Sequence, residues 1–143
     1  MPFEYLEDAA TSDVTFHAWA SSLEELFAAA VDAVTNTMLA DLETIAPVAR
    51  TEVEVAADPL DLLLWRLLDE VVFLKDSEGL LLRAEHVAVK TGTRPHHAHA
   101  ALVGERIDRH RHELVADVKA VTLHALRVQQ TGALWHAYVT LDV

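Results

Sequence analysis

Asp142 and Val143 close the sequence with two anions one residue apart, a side-chain carboxylate and a terminal one. Like charges at that spacing repel, and a cation or a basic partner would relieve them. The terminal stretch alternates, so Trp135, Ala137, Val139 and Leu141 share one strand face while His136, Tyr138, Thr140 and Asp142 share the other. Asp142 is therefore expected to point away from the core. A further carboxylate, Asp13, opens an earlier alternating stretch with Val14, Phe16, Ala18 and Ala20 on its apolar face and Thr15, His17 and Trp19 opposite. If the two stretches run antiparallel side by side, the start of one lies beside the end of the other. Asp13, Asp142 and the Val143 carboxylate then converge as an all-oxygen set suited to a hard cation such as Ca²⁺, Mg²⁺ or Mn²⁺. Taken alone, Asp13 is more often simply a strand-start residue.

Lys119 is placed by alternation on a strand face with Asp117 and Val121, on the non-core side. Exposed strand lysines ordinarily discourage edge pairing, and pattern alone gives this one no further role. Nine histidines are many for 143 residues. His97 and His99 share a strand face, as would His110 and His112 in an extended segment, which is the spacing of a transition-metal pair. No His-Glu-x-x-His arrangement accompanies them, and surface histidines are the simpler expectation. There is no Gly-x-Ser-x-Gly elbow, and the four glycines build no phosphate-cradling loop. The chain is thus expected not to be an enzyme with its own active site.

Composition narrows the partners. With 23 acidic residues against 11 Lys and Arg, the formal charge of −12 opposes direct nucleic-acid binding and favours a hard cation or a basic protein surface. Absence of Cys removes disulfides, thiolate metal sites and Cys nucleophiles. The start Met1-Pro2-Phe3-Glu4 resembles no secretory signal, and the apolar run from Leu60 to Leu74 carries Asp61, Arg66, Asp69 and Glu70, so neither export nor a membrane span is expected.

Several elements must position these groups. Phe3 to Leu6 is a short lead-in strand and Asp13 to Ala20 a half-buried one. Ser22-Leu23-Glu24-Glu25 is a capping box, opening a helix whose apolar stripe runs to about Leu39. Val48 to Ala56 alternates, with Glu52 and Glu54 on its wet face. Asp58 is the expected N-cap of a second helix, with Pro59 at its first position, which runs through Phe73, is apolar nearly all round and lies deepest in the core. Leu80 to Lys90 and His96 to Glu105 are strands reversed at Gly92 and Pro95. A final hairpin joins the strands on either side of Gln129-Gln130-Thr131-Gly132. The expected fold is α+β, a single domain over 1–143 with two helices packed on a mainly antiparallel sheet or sandwich.

Asp117-Val118-Lys119-Ala120-Val121-Thr122-Leu123-His124, the terminal Val139-Thr140-Leu141-Asp142-Val143, and Thr11-Ser12-Asp13-Val14 with Ser22-Leu23-Glu24-Glu25-Leu26-Phe27 together resemble the archease family. The likeness extends to Leu62-Leu63-Leu64-Trp65 and Gly104-Glu105. It implies a non-catalytic protein cofactor of an RtcB-type RNA ligase in the cytoplasm, promoting guanylylation of the ligase histidine with GTP and divalent metal, and hence repeated turnover in tRNA splicing and RNA repair. By the same likeness Asp13, Asp142 and Val143 are the metal contacts, with Ca²⁺ the favoured ion and Mg²⁺ or Mn²⁺ the others. Lys119 is an activating lysine, and Asp8 stands for an acidic residue of the activating set. A weak homo-oligomer is the other association allowed for. The family's usual His-Thr-Ala-Asp is Ala10-Thr11-Ser12-Asp13 here, after a longer loop, and its usual Thr-Tyr-His is Thr122-Leu123-His124. The alternatives from other classes are a stand-alone metal-dependent phosphoester hydrolase and a chaperone-like interaction domain.

Overall fold

Alternation produces the predicted strands, at 14–20, 49–57 and 134–142, and helical periodicity produces both helices. The computed structural model describes residues 2–6 and 13–143. In chain order the elements are β1 (Phe3–Leu6), β2 (Val14–Ala20), α1 (Leu23–Met38), a 3₁₀ turn (Leu42–Thr44), β3 (Ala49–Ala57) and α2 (Leu60–Glu78). They continue with β4 (Leu80–Lys90), β5 (His96–Arg106), β6 (Ala120–Val121), β7 (Arg127–Thr131) and β8 (Leu134–Asp142). Two antiparallel sheets result, one in the order β1-β2-β8-β6 with β7 also on β8, the other in the order β3-β5-β4. This is an α+β fold of two helices and two sheets, as the sequence predicts.

The core lies where the helices meet the inner faces of both sheets. Phe16, Ala18, Ala137, Val139 and Leu141 of the first sheet are fully buried, as are Leu26, Phe27, Val31 and Val34 of α1 and Leu63, Leu64, Leu67 and Leu68 of α2. α1 ties the sheets together with polar contacts. Its buried Thr35 hydroxyl donates to the Leu82 carbonyl of β4 at 2.6 Å, and the Ala33 carbonyl accepts from the Tyr5 hydroxyl of β1 at 2.9 Å. In the second sheet Gly104 has a steric role, because a Cβ there would fall 1.8 Å from the Leu81 carbonyl oxygen.

The two helix starts differ. Ser22 caps α1 as expected, accepting from the Glu25 N–H at 3.1 Å. The Glu25 carboxylate accepts from the Ser21 hydroxyl at 3.0 Å, so the return bond goes to a side chain. Asp58 does not cap α2: the cap position falls on Pro59 with no side-chain hydrogen bond, and Asp58 is drawn away to Arg94 at 2.6 Å. Nor is α2 deepest in the core or apolar all round, since Phe73 is 58% exposed and Leu62 37%. It has one buried face and runs on past Phe73 to Glu78, ended by Gly79 in the left-handed conformation (φ 66°). Among the described residues, no helix is long and apolar enough to cross a membrane.

Candidate metal-binding corner

β2 and β8 do lie antiparallel side by side, from Val14 opposite Leu141 to Ala20 opposite Trp135. One step beyond this ladder, the register sets Asp13 beside Asp142. Buried Leu141 and Val139 anchor the strand end from beneath, and both Asp13 and Asp142 remain partly accessible. Next inward, the Thr15 and Thr140 hydroxyls meet across the strands at 3.0 Å. That bond lets Thr140, 4% exposed, sit on the nominally outer face without an unsatisfied hydroxyl.

Lys119 approaches from the other side of β8, its backbone N–H donating to the Asp142 carbonyl at 2.8 Å. Its side chain is exposed, and among the described residues no ion pair engages it. The expected shared face with Val121 is wrong, because Val121 is buried at 4% while Lys119 is not. Regular pairing covers only Ala120–Val121, too short to impose alternation on its neighbours.

The expected first hairpin strand is broken. Val121 faces Leu141 and Arg127 faces Tyr138, so the chain advances six residues on one side against three on the other. The surplus loops outward around Leu123, which is 60% exposed, and Ala125 takes the left-handed conformation at φ 57°. The reversal also lies later than expected: Gln129, Gln130 and Thr131 belong to β7, and the turn is Gly132-Ala133, with Gly132 at φ 63°.

Whether the corner suits a cation depends on its donors. Among the described residues no three His, Asp or Glu side chains form a group that could hold a metal ion. Asp13 and Asp142 would offer two carboxylates to a cation there, and the carboxylate of Val143, directly after Asp142, is the expected further donor. That all-oxygen set has the hard-donor chemistry of Ca²⁺ or Mg²⁺. Asp8, expected in the activating set, lies outside the described residues.

The histidines do not all behave as surface residues. His112 is 3% exposed, its Nδ1 accepting from the Asp108 N–H at 2.9 Å and its Nε2 lying 3.2 Å from Glu105. The 107–113 segment coils, with the Arg111 and His112 N–H groups both donating to the Asp108 carbonyl, so His110 and His112 do not form an extended pair. Glu105 collects bonds from Arg111, the Ala46 N–H and His112. The Arg111 hydrogen bond, followed by that from Ala46, lowers its pKa to about 2. On the outer face of the first sheet His17 stacks on Tyr138 with ring centres 4.6 Å apart, and its Nε2 lies 2.9 Å from His136 Nδ1. His97 is exposed and His99 partly so, on the face predicted for them.

Two residues near the corner escaped sequence reasoning. Lys75 of α2 is 6% exposed, with its ammonium 2.5 Å from Asp76 and 2.6 Å from Asp117, and it donates to the Val118 carbonyl at 2.8 Å. Burial opposes its charge, but the bonds to Asp117 and Asp76 prevail and raise its pKa. Trp65, also on α2, donates its indole N–H to the Val121 carbonyl at 2.7 Å. Trp65 sits inside an apolar helical pattern, where it reads as core, and Lys75 falls beyond the expected helix end at Phe73, where it reads as part of a turn.

Comparison with known proteins bears on the family and the fold. Residues 3–143 match the model of the Archease protein family. An archease of Thermococcus gammatolerans is 32% identical over 93% of this chain and 94% of its own. One of Methanopyrus kandleri is 29% identical over the full length of both. The solution structure of protein 1598 of Methanobacterium thermoautotrophicum superposes with a TM-score of 0.85 at 30% identity, covering 99% of each chain. A Thermotoga maritima structure, described as an archease and possible chaperone, shares the fold with a TM-score of 0.64 at 16% identity, covering 96% of this chain and 94% of that one.

Proposed function

The chain belongs to the archease family, and from that premise we propose that it is a non-catalytic activator of an RtcB-type RNA ligase. It promotes guanylylation of the ligase and repeated turnover in tRNA splicing and RNA repair, working in the cytoplasm. The observation that carries this reading is the β2–β8 register, which sets Asp13 beside Asp142 with Lys119 hydrogen-bonded to the same strand end. Asp13, Asp142 and Val143 would hold a divalent ion, Ca²⁺ by preference and Mg²⁺ or Mn²⁺ otherwise. When bound, such an ion supplies charge neutralisation for phosphate oxygens.

The chain's own residues act through charge and placement. An acidic corner on a protein of net charge −12 suits the basic cleft expected of an RNA-binding partner and speeds encounter with it. Lys119, exposed beside the acids, is the group available to offset developing phosphate charge during guanylyl transfer. Asp8 completes the activating set.

The test mixes purified ligase, GTP and Mn²⁺ with the wild-type protein, Asp142→Ala or Lys119→Ala. Loss of ligase guanylylation and turnover with either variant is expected, and equal activity with all three proteins would overturn the reading. Phosphoester hydrolysis by the chain alone would favour a hydrolase instead. Metal uptake is followed separately by calorimetry, where a chaperone-like domain takes up no ion.

A further inference from the structure

The segment bearing Lys119 has little sheet of its own. Only Ala120 and Val121 pair regularly with β8, and beyond them the chain leaves the ladder for the Leu123 loop. Two side chains of α2 take over. Lys75 grips the Val118 carbonyl on one side of Lys119, and Trp65 grips the Val121 carbonyl on the other. Ten residues of helix separate these anchors, roughly 15 Å of axial rise, whereas Val118 to Val121 spans only about 10 Å of extended chain. The two side chains therefore reach in from either end, like a splint across the segment. Val118, the residue Lys75 grips, is itself fully buried, which fixes its backbone further.

The chemistry of Lys75 excludes a ligand-binding role. An ammonium has three N–H donors, and Asp76, Asp117 and the Val118 carbonyl provide an acceptor for each. The Trp65 indole has one donor, and Val121 takes it. Neither residue keeps a polar group for a partner, and what they hold in place is the backbone on either side of the exposed Lys119 amine.

We infer that Lys75 and Trp65 are positioning residues that set the Lys119 amine against the Asp13, Asp142 and Val143 corner. This rests on the reading of Lys119 as the activating lysine. A loosened splint frees the Lys119 N–H from the Asp142 carbonyl, while the β2–β8 ladder still holds the neighbouring Val14 and Leu141 and with them the acids one step beyond. The lysine then wanders.

The test uses the full chain as Lys75→Met, Lys75→Arg, Trp65→Phe and Lys119→Ala, with circular dichroism confirming that each folds. Three readouts follow: amide hydrogen exchange at Lys119, Mn²⁺ binding at the corner, and ligase guanylylation as a function of activator concentration. For Lys75→Met and Trp65→Phe the Lys119 amide is expected to exchange at least tenfold faster, with Mn²⁺ affinity within twofold of wild type. The maximal guanylylation rate should fall toward that of Lys119→Ala while the half-saturating activator concentration holds. A merely structural loss would instead raise that concentration and weaken Mn²⁺ binding. Lys75→Arg, which keeps the charge and the donors, should restore most of the rate.

Unchanged exchange at Lys119 in both splint variants overturns the inference, as does a full guanylylation rate from them under conditions where Lys119→Ala fails. Should one variant not fold, the other decides. If Lys119→Ala itself activates fully, the reading of Lys119 has failed, and the exchange measurement still decides whether α2 positions the segment.

Discussion

The acids and the lysine of the corner occupy the same end of one sheet but are held by different means. Asp13 and Asp142 stand at the end of a seven-pair backbone ladder, Val14–Leu141 through Ala20–Trp135, over a buried apolar face. Lys119 stands beside a two-pair ladder, and single side-chain contacts from a helix do the rest. A ladder shares its hold over many bonds, so no one side chain on it decides the position of the acids. The splint concentrates its hold in two residues. Asp13, carried by β2 alone, should therefore move only when the domain unfolds, and the lysine should be movable with no more than the end of β8 at Asp142, to which its N–H is bonded.

The largest expected effect comes from attacking the ladder through its core face. Phe16 is fully buried opposite Val139, and Phe16→Ala should cost about 3–5 kcal/mol by lost transfer energy and residual cavity. Urea unfolding should show a global shift in midpoint, with metal binding lost only as the whole domain unfolds. A local loss of Mn²⁺ binding at full stability would break the comparison.

On the splint side, Lys75→Met keeps volume but leaves the Val118 carbonyl without its donor. Asp117 is 65% exposed and can rehydrate. The cost should be about 1–2 kcal/mol, the range for a buried polar group left unpaired. It should appear in the exchange of residues 117–121 before it appears in β2 or β8. Uniform exchange across both regions would mean that the two are one cooperative unit.

A smaller effect, lost in acid, belongs to Glu105. Its folded pKa of about 2 lies below its ordinary value of 4.5. A depressed carboxylate adds stability that is full above the unfolded pKa and is lost as pH falls through the folded one. Glu105→Gln should therefore be less stable than wild type from neutral pH to about 4.5, and the gap should narrow toward pH 2. Thermal melts across that window read it directly, and a gap independent of pH would show that the Arg111 and Ala46 bonds do not depend on the charge.

The same division explains how much could be read from sequence. Faces of β2, β3 and β8, the stripe of α1 and the Gly92–Pro95 reversal follow from period and turn chemistry, which are local properties of adjacent residues. The β2–β8 adjacency that joins Asp13 to Asp142 could be posed from sequence as a condition, and only the register answered it. What stayed illegible depends on single contacts between distant residues. Lys75 with Asp117, Trp65 with Val121, and Glu105 with Ala46 leave no period behind them. The break between β6 and β7 was hidden because Asp117 to Val128 alternates well enough to pass for one strand, while Ala125 turns left-handed without a glycine to announce it. His112 was misplaced for a related reason: its burial rests on the coil around the Asp108 carbonyl, and composition around it reads as charged surface.

The smallest effect contrasts the two helix starts, one of each kind. Ser22 accepts from the Glu25 N–H two residues into α1, a local bond visible as a motif, and Ser22→Ala should cost about 1 kcal/mol. Asp58 matches the same pattern before α2 but spends its carboxylate on Arg94, whose side chain is 76% exposed. An exposed pair of that sort contributes roughly 0.5 kcal/mol or less, since solvent and side-chain entropy offset most of the attraction. Asp58→Ala should thus shift the urea midpoint by less than half as much as Ser22→Ala, and salt should shrink the small shift further. An equal loss from both variants would mean that Asp58 does cap α2 in solution, and that its local motif outweighs the distant arginine.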